Sequence, residues 1–174
     1  IISMLSDRMQ KALNGQVNAE LYSSYLYLSM NSYFKSVSLD GFANWMNAQA
    51  QEELMHAMKL YEFINQRGGR GLLAAIEAPP AQWDSPLAVF EDTLKHEQKV
   101  TGLINGLVEI AMEERDHATQ IFLQWFVTEQ VEEEESVGNV LEQLKLLGDA
   151  KQGLFMMDRE LAARQAPDMS IESE

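Results

Sequence analysis

The chain has 174 residues, 46% of them hydrophobic, which is enough for one folded domain with a real core. It contains no cysteine, and this excludes disulfides, thiolate metal sites and cysteine nucleophiles. Its 13 basic and 27 acidic residues give a net charge of −14, which argues against a nucleic-acid partner. An acidic surface attracts cations, although charge alone is explained more simply by solubility.

The first two predicted helices form a pair joined by a short turn. Apolar residues recur at helical spacing, and α1 is expected at about residues 6–34. A turn-like stretch at 35–40 leads into α2, at about 40–66, which stops at Gly68-Gly69 because glycine favours helix C-termini. Since the connection is short, we expect the two helices to be antiparallel.

A long connection separates this pair from α3. It spans roughly 17 residues, includes Pro79-Pro80, and can reach about 55 Å when extended, which is enough to cross the length of a bundle. Ser85 is a suitable N-cap and Pro86 suits the first helical position. We therefore expect α3 to run from there to about residue 114.

Two further helices complete the predicted order. Asp116 can cap α4, which reaches about residue 147 before Gly148-Asp149 breaks it. A short α5 is expected at about 150–165, followed by a flexible tail at 166–174. The sequence thus predicts a single all-α domain over residues 1–174, an antiparallel four-helix bundle with a long α2–α3 crossover and a short fifth C-terminal helix.

Polar residues interrupt the inward-facing apolar stripe of each long helix near its middle. At 1.5 Å per residue, positions about 12–14 residues into the four helices meet at one level of an antiparallel bundle. Several carboxylates that converge in a low-dielectric interior must either hold protons or surround a cation. The residues at this level are Glu20 in α1, Glu53 and His56 in α2, Glu97 in α3, and Gln130 and Glu133 in α4.

The donor chemistry favours iron or manganese over a sulfur-rich zinc or copper site, because carboxylates with one imidazole suit harder cations. Glu53 and His56 form an E-x-x-H pair on one helical face, a pattern that alone is weak evidence since it arises often by chance. A carboxylate can bridge two metals about 3.5–4 Å apart. Glu53 is the natural bridge, Glu20 and His56 would complete one ion site, Glu97 and Glu133 would complete the other, and Gln130 could bind a water.

Several longer stretches resemble the ferritin family. Residues 18–30 read NAELYSSYLYLSM, α2 carries QEELMHAM, and α4 carries FLQWFVTEQVEEE; the RGGR turn, the proline pair and WDSPL fit as well. The likeness covers roughly residues 5–164. Only α2 carries E-x-x-H, since residues 130–133 read QVEE, so the resemblance is to non-haem ferritins of the prokaryotic and archaeal type rather than to bacterioferritins or rubrerythrins.

This resemblance implies a ferritin-like fold and an iron-storage function. Proteins of this kind oxidise Fe(II) with O2 or peroxide at a ferroxidase centre and keep the iron(III) mineral inside a hollow homo-oligomeric shell, commonly of 24 subunits. We accordingly expect iron at a di-iron centre with a third iron site, and no haem. Neither nucleic acid nor a membrane is expected as a partner.

The resemblance also implies roles for individual residues. Tyr27 is similar to the tyrosine beside the centre that can donate an electron. Carboxylates that line an iron channel early in α4 of animal ferritins are replaced here by Gln120 and Leu123. The metal ligands carried over are Glu20, Glu53 and His56 for the first iron; Glu53, Glu97, Gln130 and Glu133 for the second; and Glu52, Glu129, Glu132 and Glu133 for the third.

The remaining histidines, tryptophans and α5 have simpler interpretations. We expect His96 at the surface or an interface, and His117 in a local polar contact or at a channel rim. Trp45 and Trp125 are expected in the core. α5 lacks a partner within the four-helix bundle, so its apolar residues, namely Leu154, Phe155 and Leu161, are expected to bury against neighbouring subunits.

We expect neither a signal peptide at the start of this sequence nor a membrane span within it. No apolar run approaches the roughly 20 residues of a membrane span, and residues 1–5 lack the features of a signal peptide, so a cytoplasmic location is expected. Met4 is a candidate for the native first residue, and the sequence leaves this open. Two alternative functions also stay open: a shell subunit without ferroxidase activity, and a di-iron oxygenase or peroxidase of the same fold.

Overall fold

The computed structural model describes residues 4–168, and within that range the chain forms five helices and no strand. The predicted fold class is confirmed, and the bounds of the four long helices agree with prediction to within two residues. Residues 1–3 and 169–174, with the candidate start and most of the predicted tail, lie outside the described residues. The helices are α1 Asp7–Ser36, α2 Asp40–Gln66, α3 Pro86–Glu113, α4 His117–Leu147 and α5 Lys151–Leu161.

Side-chain caps and left-handed glycines set the helix ends. The Ser6 hydroxyl accepts from the Met9 amide at 3.0 Å, and the Ser85 hydroxyl caps α3 in the same way. Gly68 (φ 77°) follows α2 and Gly148 (φ 55°) follows α4, which is the conformation that ends a helix most readily at glycine. Local sequence therefore accounts for where the long helices start and stop.

Contacts between the helices show the direction of each one. The start of α1 contacts the end of α3, where Arg8 lies 2.7 Å from Glu113. The end of α1 contacts the start of α3, where Thr93 lies 3.3 Å from Met30. α1 and α3 are therefore antiparallel. α2 and α4 are antiparallel by the same criterion, through the Arg67–Asp116 and Gln49–Glu133 contacts.

The connection between α2 and α3 crosses the bundle along α1, as its length predicted. Two asparagines of α1 hold it in place through its backbone: Asn14 accepts from the Leu72 amide at 2.8 Å, and Asn18 donates to the Ala75 carbonyl at 3.1 Å. Because the connection runs in the direction of α1, α3 begins at the opposite end from where α2 stops. This crossover brings mid-helix positions of all four helices to one level.

Two apolar clusters fill the ends of the bundle. Phe34, Phe42 and Phe90 centre the first cluster, where the Phe34 and Phe42 rings stack at 5.1 Å. Leu60 and Phe126 belong to the second cluster at the other end. The layer between them is polar. None of the helices in the described part of the chain is both long and apolar enough to cross a membrane.

α5 packs against the beginning of α2, so the prediction that it lacks a partner within the subunit was wrong. Met157 is buried there, and the Asp158 carboxylate accepts from the Phe42 amide at 3.0 Å. Leu154 and Leu161 pack on the first apolar cluster of their own chain, whereas Phe155 is 61% exposed. The helix also ends at Leu161, four residues short of the predicted end near 165.

The close approach of α5 depends on Gly41. A Cβ at this position would lie 1.6 Å from the Asp158 carbonyl oxygen, which belongs to backbone and cannot move aside alone. We expect Gly41→Ala to shift α5 and to lower the free energy of unfolding by about 1–3 kcal/mol, as overpacking does. Urea denaturation measures this loss, and faster tryptic cleavage after Arg159 reports the released helix.

Gly102→Ala serves as the matched control, because Gly102 lies in α3 with open space around its added Cβ. Alanine there should leave stability unchanged or raise it by up to about 1 kcal/mol. If Gly41→Ala behaves like Gly102→Ala, then α5 does not pack on α2 as described.

Candidate metal centre

A layer of buried polar side chains separates the two apolar clusters. It contains all six residues that the sequence placed at mid-helix, and each is at most 4% exposed. Helical spacing explains the arrangement, since each polar side chain continues an apolar stripe that already points inward. The six are Glu20, Glu53, His56, Glu97, Gln130 and Glu133.

The first group of potential ligands consists of Glu20, Glu53 and His56. One ligand atom from each lies within 4.8 Å of the others, and His56 Nδ1 is 3.3 Å from Glu53 Oε2. Glu20 Oε2, Glu53 Oε2 and His56 Nδ1 are buried and make no hydrogen bond within residues 4–168. Unpaired buried polar atoms are costly, so this donor set fits a cation that would satisfy all three.

The second group consists of Glu53, Glu97 and Glu133, again with one oxygen from each within 4.8 Å of the others. Glu53 belongs to both groups and thus occupies the position of a bridging carboxylate. Gln130 lies beside this group with its amide Nε2 donating to Glu97 Oε2 at 3.1 Å and to the Thr101 hydroxyl at 3.1 Å. The three carboxylates together present only oxygen donors, which suits a hard cation.

A third group adjoins the other two on the side of α4. His56, Glu129 and Glu133 bring ligand atoms within 4.8 Å of one another, and Glu129 is half-buried. Burial raises the pKa of Glu129, and the nearby charges of Glu132 and Glu52 raise it further. Glu132 itself is exposed, and of the acidic run at 132–135 only Glu133 is buried.

The electrostatics of the layer favour neutral groups or a bound cation. Burial raises the pKa of Glu53 well above its usual range, and the neighbouring Glu97 and Glu20 charges add to the effect. Burial likewise raises the pKa of Glu133 and lowers that of His56. The pKa of Glu97 rises from 4.5 to about 7 through burial, although hydrogen bonds from Tyr27 and Gln130 oppose this rise. A cation at the centre would lower the raised pKa values of the carboxyl groups, because it favours their charged forms, and would keep His56 neutral.

Tyr27 lies directly against the centre. Its ring is fully buried and its hydroxyl donates to Glu97 Oε1. Burial, followed by the charges of Glu97 and Glu53, raises the pKa of Tyr27, so the phenol keeps its proton. On its outer side Tyr27 contacts the His96 ring edge-on, with the ring centroids 5.9 Å apart.

Two buried glutamines next to the ligands were given no role by the sequence. Gln16 donates to Glu20 Oε1 at 3.1 Å, and Gln49 donates to Glu53 Oε1 at 3.3 Å and also to Glu133. Each is one helical turn before its glutamate on the same face, and this i, i+4 spacing was the available signal. By donating to Glu20 Oε1 and Glu53 Oε1, these amides would orient both carboxylates towards a bound metal.

Three other predictions about single residues need correction or detail. Trp125 is 40% exposed rather than in the core. Its ring contacts His56 edge-on, and Lys59 Nζ lies over the ring, 3.7 Å from its centroid. His96 is half-buried within the subunit, with Ser23 Oγ 2.7 Å from its Nε2, and its place at an interface stays a prediction. His117 is exposed at the start of α4, and Trp45 is in the core as predicted.

Comparison with known proteins gives consistent matches over nearly the whole chain. Residues 10–147 match the family model for the ferritin-like domain. A bacterial non-heme ferritin of Bacteroides fragilis is 45% identical over 92% of this chain and 100% of its own length, and one of Staphylococcus epidermidis is 41% identical over 92% and 97%. The crystal structure of an open pore ferritin from Archaeoglobus fulgidus is 56% identical, with a TM-score of 0.93 over 95% of this chain and 100% of that one.

Proposed function

Since the chain belongs to the family of non-haem ferritins, we propose that it oxidises Fe(II) with O2 or peroxide and stores the iron as a mineral inside a homo-oligomeric shell. The observation that carries this proposal is the sharing of Glu53 by two buried ligand groups, Glu20–Glu53–His56 and Glu53–Glu97–Glu133. Such sharing would hold two iron ions side by side, within reach of one oxidant molecule. The substrate iron supplies the electrons for the reduction of the oxidant.

In this proposal the side chains of the centre bind iron and release protons as it binds. Fe(II) favours the charged forms of Glu53, Glu97 and Glu133, so protons held by these buried carboxylates leave when the metal arrives. His56 is neutral because burial lowers its pKa, and it can therefore bind metal without first losing a proton. The apolar clusters on both sides exclude bulk water from the reaction.

Of the four ligands predicted for a third iron, Glu129 and Glu133 bring oxygens within 4.8 Å of one another, beside His56. Glu129 is half-buried and Glu132 exposed, so this group reaches towards solvent whereas the first two are enclosed. We propose that it receives iron on its way to or from the enclosed pair. Glu52 would join it when free of its ion pair with Arg164, at 3.0 Å.

Large apolar side chains on the outside of the subunit support assembly. Among them are Leu73, Ile121 and Leu146, each more than two-thirds exposed in the single chain. A contiguous apolar patch marks a protein interface, and we propose that these side chains contribute to such patches between subunits. We propose a shell of 24 subunits, and a cytoplasmic location stays a prediction.

Two measurements test the proposal against its alternatives. Gel filtration should give a species of several hundred kilodaltons, whereas a dimer would favour an oxygenase of the same fold. Anaerobic protein loaded with two Fe(II) per subunit should oxidise them rapidly when oxygen is added. A shell that binds no Fe(II) at the buried groups, or oxidises it no faster than buffer does, would be a structural subunit instead.

Tyr27 offers a prediction within this function. Tyr27→Phe removes the hydrogen bond to Glu97 and the electron donor, and should slow oxidation about tenfold, since a hydrogen bond to a charged group contributes about 1.5 kcal/mol. Stopped-flow absorbance measures the rate, while anaerobic Co(II) titration should still give two sites. Tyr25→Phe, on an exposed residue of the same helix, should match wild type; equal rates for both variants would remove Tyr27 from the reaction.

A further inference from the structure

The segment that follows α5 reaches back to the metal centre through Arg164. Its Nη2 donates to Gln49 Oε1 at 2.8 Å and to Glu52 Oε2 at 3.0 Å, and its Nη1 donates to the Trp45 carbonyl at 3.2 Å. The guanidinium also lies over the Trp45 ring, 4.2 Å from its centroid. The side chain is only 19% exposed, so these contacts are largely shielded from water.

The backbone of this segment is held as firmly as the side chain. Asn44 Nδ2 donates to the carbonyl oxygens of Leu161, Ala162 and Arg164, the last at 2.9 Å. Asp158 ties the preceding helix to the start of α2. These hydrogen bonds hold the backbone of Arg164 against α2, so its guanidinium approaches α2 from a defined position.

Arg164 determines which way the Gln49 amide points. A guanidinium has only N–H donors, so the amide must turn its oxygen towards Arg164. The NH2 group then faces the opposite way, where it donates to Glu53 Oε1 at 3.3 Å and to Glu133. An amide turned the other way would place its oxygen against two carboxylates and its NH2 against a cation, losing every one of these hydrogen bonds.

We propose that Arg164 is a positioning residue of the metal centre, acting through Gln49 on the bridging Glu53 and on Glu133. The role rests on the proposed function, because it concerns the same two metal positions. With Gln49 held, one oxygen of each of the two carboxylates accepts from an amide N–H, and this fixes how each carboxylate is turned towards the metal positions. The docking of the C-terminal segment thereby sets the geometry of a centre built by other helices.

Anaerobic Co(II) binding to the assembled full-length protein tests this without any oxidation step. Co(II) absorption bands report ligand geometry, and titration gives affinity. Since residues that orient metal ligands typically contribute 10–100-fold to affinity, Gln49→Met should weaken Co(II) binding about tenfold, and Arg164→Ala about three- to fivefold, with shifted bands in both. The double variant should resemble Gln49→Met alone, because Arg164 acts through that amide.

A matched control removes the same charge from the same region. Arg159 is exposed on α5, where its guanidinium lies over the Phe155 ring, so Arg159→Gln should bind Co(II) as wild type does. If Arg164→Ala prevents assembly, Arg164→Lys carries the test, since lysine keeps the charge but lacks the forked donor. The same band shift is then expected.

The possible outcomes distinguish failure of the positioning role of Arg164 from failure of the proposed metal centre. Wild-type bands and affinity in Arg164→Ala, or in Arg164→Lys where the alanine variant does not assemble, would overturn the positioning role. The role would also be overturned if the loss of Co(II) affinity in the double variant equalled the product of the losses in the two single variants, because Arg164 would then act independently of Gln49. If wild-type protein itself fails to bind two Co(II) per subunit, the metal centre is wrong and the role of Arg164 falls with it.

Discussion

Glu53→Ala and His56→Ala should each slow rapid Fe(II) oxidation by more than about 100-fold, since loss of a direct ligand should exceed the 10–100-fold effect of residues that only orient ligands. Glu53→Ala should be the more severe, because Glu53 belongs to both buried ligand groups whereas His56 lies between the first and the half-buried third. Stopped-flow absorbance of Fe(III) gives the rate. Anaerobic Co(II) titration should show both enclosed positions weakened by Glu53→Ala.

Neither substitution should prevent assembly. Removing the Glu53 carboxyl relieves repulsion in the buried layer, so metal-free Glu53→Ala should be as stable as wild type or more so. His56→Ala leaves a cavity instead, which should lower stability without preventing assembly. Glu62→Ala is the matched control, since Glu62 is an exposed glutamate of the same helix and should leave oxidation unchanged. A Glu53→Ala protein that oxidises iron at the wild-type rate would contradict the shared-ligand arrangement, and one that no longer assembles would show that centre and scaffold are not separable.

The metal-free protein should lose stability as the pH rises from about 4.5 to about 7. Burial raises the pKa of Glu97 from 4.5 to about 7 in the folded chain, so the folded state binds more protons than the unfolded state across this window. The contribution of the protonated Glu97 carboxyl to the free energy of unfolding is complete below pH 4.5. It decreases as the pH rises and is lost once the pH passes the folded pKa. Glu97 alone should account for about 3 kcal/mol per subunit, at 1.36 kcal/mol per pKa unit.

Urea denaturation with a chelator present, at pH 5 and pH 8, measures this loss. Glu53 and Glu133, whose pKa values are also raised, should act in the same direction, as should repulsion among the surface carboxylates. Glu97→Gln isolates one contribution, because the amide keeps the shape but cannot titrate, so its stability should fall less over the same range. A parallel fall in Glu97→Gln and wild type would place the pKa of Glu97 near its ordinary value. Replacing the chelator with Co(II) at pH 8 should restore stability, since the metal binds only the folded centre.

Much of the fold could be predicted because its causes are local. Ser6, Ser85 and Asp116 cap helices through hydrogen bonds that span three residues, and Gly68 adopts a backbone conformation that other residues avoid. The depth of Glu20 within α1 follows from counting residues at a constant rise. α5 was predicted less well, because nothing local shows that the missing side chain of Gly41 makes room for it.

Within the centre, the ligand types were predictable and the network that holds them was not. Gln49 lies on the inner face, one turn before Glu53. Periodicity alone predicts that this position is buried, but it does not predict what the side chain does there. Its partner Arg164 is 115 residues away in the chain, so no pattern of spacing joins them. Trp125 was misplaced for a related reason: on α4 it lies just beside the buried face, and only the packing of His56 against its edge decides how much of the ring stays open.

Helix lengths, the single long crossover and the depth of the glutamates are settled by the amino-acid sequence alone, because each depends on neighbours within a few turns. Tertiary structure decides the rest: that Glu53 is common to two ligand groups, that α5 closes on α2, and that a C-terminal arginine turns the amide of Gln49. These features depend on which rotamers and backbones meet across tens of residues. Close packing selects them from the combinations that the sequence permits.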